Sequence, residues 1–110
     1  MIEHNTKASH IHSFDFELFR TALLATSQIE GFHSICNLGR KVLGQTGEGH
    51  FCPIGGYNAE ARKVLLMDTA RFKYPPHWVD IEMLYNSVCT IDKDTGASRG
   101  FILLARKANH

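Results

Sequence analysis

The chain has 110 residues, 44% of them hydrophobic and 21% charged, and a formal net charge of +1. That length suits one domain with a core of its own and is small for two. The near-neutral charge argues against a general nucleic-acid binder, which carries a basic face, and no apolar run approaches the roughly 20 residues of a membrane span. The opening stretch MIEHNTKASHIH contains no apolar segment of the kind a secretory signal needs. Three cysteines, Cys36, Cys52 and Cys89, lack the even count and spacing of a disulfide framework, so a reducing compartment, the cytosol, is the expected location.

In chain order, residues 1–12 read as a solvated polar tail. His10 and His12 lie in it, and two ligands do not close a tetrahedral metal site. Ser13 is positioned to cap a helix over residues 14–29, with Asp15 and Glu17 where the helix dipole favours anions. Phe16, Phe19 and Leu23 supply its apolar stripe, and Gly31 ends it. Residues 32–38 alternate bulky and polar side chains as a strand does, and residues 40–43 are expected to continue that strand after a bend at Gly39. GQTGEG is a glycine-rich turn. It lacks the Lys-Ser/Thr ending of a phosphate loop and leads into a strand rather than a helix.

Residues 50–54 read as the next strand. Gly55 and Gly56 relax the backbone and YNAEAR makes a connection to a strand over residues 63–67. ARFKYPPHW then reads as a loop, fixed by Pro75 and Pro76. Asp80 can cap a second helix, on which Ile81, Leu84, Tyr85 and Val88 form an amphipathic stripe. A polar turn, IDKDTGASRG, precedes a buried strand over residues 101–105. The pattern is α+β with an antiparallel sheet, in one domain over residues 13–106 with a short tail at 107–110.

Two polar residues stand out on neighbouring strands: His50 opens one and Asp68 closes the next. Antiparallel pairing can bring them side by side. A histidine held by a carboxylate at one ring nitrogen has its tautomer and orientation fixed, and the other nitrogen can take a proton from a nucleophile. The same two residues also fit an ordinary structural role, because a base is defined by geometry. No cysteine of the chain makes a good nucleophile. Cys36 sits in a strand, Cys52 projects in parallel with His50, and Cys89 falls near a helix C-terminus, where the dipole disfavours a thiolate. Each reads better as a small buried hydrophobe.

GQTGEGHFCPIGGYNAE, then LLMDTARFKYPPHWV, then a TG-x-x-RGF-x-L ending closely resemble phytochelatin synthase, and SFDFELFR resembles the family's segment before this block. The resemblance covers residues 13–106. It implies a papain-like fold with a Cys-His-Asp triad. The implied activity moves the γ-Glu-Cys unit of glutathione, with loss of glycine, onto another glutathione or a growing phytochelatin. A heavy-metal ion, cadmium or zinc, is implied as activator or as part of a metal–glutathione thiolate substrate. By this resemblance His50 is the triad base and Asp68 its orienting acid, while Arg40, Arg71, Lys73 and Tyr74 hold glutathione. Guanidinium and ammonium groups suit the carboxylates of a tripeptide. Cys52 stands where the family usually has Ser. The resemblance also places this chain after the family's catalytic Cys, as the C-terminal half of the catalytic domain, with the missing N-terminal half as its partner. The rival expectation is a non-catalytic remnant that binds thiol peptides or soft metal ions through Cys36, Cys52 and His50.

Overall fold

The computed structural model describes residues 6–68 and 74–106. In chain order the elements are β1 (Thr6–Ile11), α1 (Phe16–Gln28), β2 (Phe32–Gly39), a one-turn 3-10 helix (Arg40–Leu43), β3 (Gly49–Asn58), β4 (Lys63–Leu66), β5 (His77–Asp80), α2 (Ile81–Val88) and β6 (Phe101–Arg106). The strands form one sheet in the order β1-β6-β2-β3-β4-β5, and every neighbouring pair runs antiparallel. The α+β class with an antiparallel sheet is therefore as the sequence suggests.

Both helices lie on one face of the sheet and share one core. Phe19 and Leu23 of α1 and Ile81, Leu84 and Val88 of α2 meet Cys36, Leu38, Cys52, Val64, Leu66 and Phe101 from the strands, all fully buried. Aromatic rings fill the seam between the helices. Phe101 meets Phe14 edge-on at 4.9 Å and Phe19 at 5.3 Å, the T-shaped geometry that aligns ring edges with ring faces. Phe101→Ala removes the ring on which α1 and the Phe14 loop converge. It is expected to cost about 3–5 kcal/mol, read as a lower urea midpoint with unchanged slope.

Among the described residues, the opposite sheet face carries no helix. Phe51, Met67 and Trp78 are 49%, 42% and 52% exposed there, next in sequence to the buried Cys52 and Leu66 and, for Trp78, across from Leu65. Period-two alternation places them on this side.

Several boundaries differ from expectation. Thr6–Ile11 is a strand on the edge of the sheet, not a solvated tail, because β6 offers it a full antiparallel register from Thr6↔Arg106 to Ile11↔Phe101. His10 and His12 stack at 3.9 Å between ring centroids, and their rings hydrogen-bond the carbonyls of Arg99 and Ser98 at 3.0 Å each. Helix α1 is capped by Asp15 rather than Ser13. The Asp15 carboxylate accepts from the Leu18 amide at 2.8 Å and so satisfies one of the orphan donors of the first turn. Residues 40–43 wind into a 3-10 turn instead of extending β2, closed by Gly44 at φ 71°. β3 runs through Gly55 and Gly56 to Asn58, with a bulge between Ile54 and Gly56 where the glycines interrupt the register. His77 and Trp78, expected in a loop, instead begin β5, which pairs with β4. Asp80 does cap α2, accepting from the Glu82 amide at 2.8 Å.

Candidate active site

The register sets the site. Cys36 faces Cys52, Leu38 faces His50 and Gly39 faces Gly49, so alternation puts His50 on the helix side of the sheet, at the end where the β2–β3 connection turns. On the next strand Leu66 faces Ile54. The Met67 amide donates to the Pro53 carbonyl at 3.0 Å, which keeps the chain against β3 beyond the end of β4. Asp68, two residues past Leu66, then points to the same side and is buried, 2% exposed.

His50 and Asp68 meet: Nε2 lies 3.0 Å from Oδ1. A third group, Arg40, completes the arrangement. Its Nη1 donates to Asp68 Oδ2 at 2.9 Å and its Nη2 to Oδ1 at 3.2 Å, a bidentate pair out of water. Arg40 arrives there because the 3-10 turn swings it inward. Its amide donates to the Glu48 carbonyl at 3.0 Å, its Nη1 also donates to Gln45 Oε1 at 2.6 Å, and its guanidinium lies 4.7 Å from the centre of the Tyr74 ring. Tyr74 is held in turn by Thr46, whose amide donates to the phenol oxygen at 3.0 Å. Of the four residues expected to hold glutathione, Arg40 and Tyr74 thus sit behind the carboxylate, with Arg40 only 5% exposed. Arg71 and Lys73 lie outside the described residues.

Beside His50 opens a cavity of about 350 Å³. Glu48, Asp92 and Asp94 line it with Lys93, Arg99 and Phe51, so it presents both signs of charge at the His50 end of β3. The Ile91–Ser98 bridge folds the polar turn back on itself and carries Asp92, Lys93 and Asp94 to the rim. From the sequence this stretch reads only as a polar turn before the last strand. The dense alternation of acid and base in IDKDTGASRG was the available signal, but nothing local linked it to His50.

All three cysteines are free. Burial drives the Cys36 thiol far up from its ordinary value, with the Cys52 side chain adding to the effect. Cys52 is pushed up to about 12, by burial first and by the Asp68 carboxylate second. Both are fully buried on the core side of the sheet, so neither offers the exposed, stabilised thiolate that nucleophilic attack needs.

A stability consequence follows from these two thiols. In the unfolded chain each ionises near the ordinary value of 9.0, whereas the folded state keeps them protonated to higher pH. Above that value the unfolded state binds fewer protons than the folded one, so the contribution of these thiols is fully present below about pH 9 and is lost as pH rises. The expected slope is about 1.4 kcal/mol per pH unit per thiol up to the folded values. Urea midpoints between pH 8 and 11 should show it, with a shallower fall in Cys52→Ala. An undiminished slope in that variant would remove Cys52 from the account.

A family model described as Phytochelatin synthase matches residues 1–101. The chain belongs to the phytochelatin synthase family. It is 50% identical over 88 residues to glutathione gamma-glutamylcysteinyltransferase 2 of Arabidopsis thaliana, a match covering 80% of this chain and 20% of that relative. It is 45% identical over 94 residues to glutathione gamma-glutamylcysteinyltransferase of Schizosaccharomyces pombe (strain 972 / ATCC 24843), covering 86% and 23%. With glutathione gamma-glutamylcysteinyltransferase 1 of Lotus japonicus the figures are 41% over 100 residues, covering 91% and 20%. The chain therefore spans about a fifth of the length of the curated relatives it matches. Among the described residues, no helix is long and apolar enough to cross a membrane.

Proposed function

We propose that this chain carries the proton-handling half of a phytochelatin synthase active site, which transfers γ-Glu-Cys from one glutathione to another thiol peptide and releases glycine. The observation that supports this most strongly is the buried Asp68 carboxylate, shared between His50 Nε2 at 3.0 Å and the Arg40 guanidinium. Asp68 fixes the imidazole with its proton on Nε2, and Nδ1 does the proton transfer. Nδ1 takes a proton from a cysteine thiol outside this chain. The thiolate attacks the Cys-Gly carbonyl of glutathione, and the C–N bond breaks as Nδ1–H protonates the leaving glycine amine. The α-amine of an acceptor peptide then attacks the thioester, passing its proton to Nδ1, and the enzyme thiol leaves with a proton returned from the imidazole.

The buried, raised thiols of Cys36 and Cys52 support a nucleophile from elsewhere, and the sheet face on which Phe51, Met67 and Trp78 are exposed suits a further protein layer. We read the sheet and its two helices as half of a papain-like catalytic domain. The remnant reading, with soft metals bound through Cys36, Cys52 and His50, requires thiolates that burial opposes. Among the described residues, no three His, Cys, Asp or Glu side chains converge as a metal-ligand set, so no step is assigned to an ion held by this chain. On this reading cadmium or zinc enters with the substrate, as a metal–glutathione thiolate.

The cavity beside His50 suits a zwitterionic tripeptide. Arg99 and Lys93 face carboxylates, and the three acidic residues face an ammonium group. Adding glutathione to the isotope-labelled chain should shift the His50, Asp92 and Arg99 NMR signals together. Arg99→Ala should weaken that binding about tenfold, as loss of a charged hydrogen bond does. Shifts confined to residues away from the cavity would refute this placement.

A further inference from the structure

Arg99 is seated by a small set of neighbouring residues. Its Nε donates to Thr90 Oγ1 at 3.0 Å. The Thr90 hydroxyl spends its own proton on the Ser87 carbonyl at 2.7 Å, which leaves its oxygen turned to receive Arg99. Thr90 stands just past the C-terminus of α2, and the Arg99 amide donates back to the Thr90 carbonyl at 2.8 Å, so the two residues are fixed at backbone and side chain together. Beneath them lie two glycines that face one another across β2 and β3, Gly39 and Gly49. A Cβ on Gly39 would overlap the Thr90 hydroxyl, and a Cβ on Gly49 would overlap Arg99 Nη1. Neither glycine has a positive φ, so backbone conformation does not account for them, while the space they leave does. Among the described residues no carboxylate forms an ion pair with Arg99, which lies in the wall of the His50 cavity.

We propose that Thr90, together with the cross-strand glycine pair Gly39 and Gly49, is a positioning device that holds the Arg99 guanidinium at the His50 cavity to receive a carboxylate of the thiol peptide. This rests on the assignment of Arg99 as a carboxylate ligand made above. Thr90 fixes the side chain at Nε and Gly49 admits its Nη1 over β3, one residue from His50. The remaining guanidinium N–H groups are then presented in a single orientation, which a flexible arginine in water does not maintain.

The test uses the labelled chain, with glutathione as probe. Thr90→Val keeps the shape and removes the hydroxyl; Thr90→Ser keeps the hydroxyl. Gly49→Ala leaves Thr90 intact and displaces the end of a flexible side chain. In the wild type the Arg99 Nε–H signal should be resolved and slow to exchange. Thr90→Val should abolish that protection and weaken glutathione binding about tenfold, Thr90→Ser should restore both, and Gly49→Ala should weaken binding by a similar factor. In an Arg99→Ala background Thr90→Val should add nothing. Equal weakening by Thr90→Val with and without Arg99 would overturn the proposal, as would wild-type protection and binding in Thr90→Val. If Arg99→Ala itself binds like the wild type, the carboxylate assignment fails instead, and the Nε–H signal still decides whether Thr90 holds the side chain.

Discussion

Asp68→Asn is expected to lower turnover of the proposed transferase, reconstituted with a cysteine-bearing half, by about 10⁴-fold, the loss seen when the acid of a serine triad is changed to its amide. The geometry gives the reason. Asp68 Oδ1 accepts from His50 Nε2 and Arg40 Nη2, while Oδ2 accepts from Arg40 Nη1. Both positions demand an acceptor, and asparagine supplies one. If its amide nitrogen replaces Oδ2, two donors face each other at Arg40. If it replaces Oδ1, it meets Nη2 and also turns a donor toward the imidazole, which favours the tautomer with its proton on Nδ1. That tautomer cannot accept the thiol proton there. Rates with glutathione, alongside circular dichroism as a check on folding, measure this. Wild-type turnover in a folded Asn variant would exclude Asp68 from the mechanism.

Arg40→Ala should be the most damaging single change to stability among the site residues, by about 3–5 kcal/mol, because it strands a carboxylate inside the protein. Asp68 has a side-chain exposure of 0% and Arg40 of 6%, so water cannot replace the lost partner. Tyr74 also loses the cation over its ring. The double variant Arg40→Met with Asp68→Leu should recover much of the loss, since apolar groups of similar volume often substitute for a buried pair at little cost. Urea unfolding of the two variants measures both effects. A single variant within 1 kcal/mol of wild type would mean the pair is not the anchor of this corner.

Much of this was legible in the sequence. The stripe of Ile81, Leu84 and Val88 and the Asp80 cap are local signals, and both appear as read. His50 and Asp68 read from the sequence as residues of neighbouring strands able to meet, and they do so at hydrogen-bond distance. What sequence could not give are the long-range consequences. Thr6–Ile11 is too polar to read as a strand and becomes one because β6 is there to pair with it. His10 and His12 bind the backbone at Ser98 and Arg99, distant in the chain. Arg40 carries no local mark of burial, since its partner lies on another strand and the 3-10 turn that delivers it depends on Gly44 at positive φ. Arg99 was hidden for a similar reason: its seat is made by glycines on β2 and β3 and by a threonine after α2.

In the proposed function His50 and Asp68 serve a cysteine this chain does not contain. Incubate the purified chain with glutathione and cadmium, alone and with a separately expressed cysteine-bearing segment from a relative, and follow released glycine together with γ-Glu-Cys adducts on each cysteine by mass spectrometry. No glycine is expected from the chain alone. With the added segment, glycine release should appear, matched by an adduct on that segment's cysteine, and both should be lost in His50→Ala. Glycine release by the chain alone that disappears in Cys52→Ser, or reconstituted activity indifferent to His50, would contradict the proposed function.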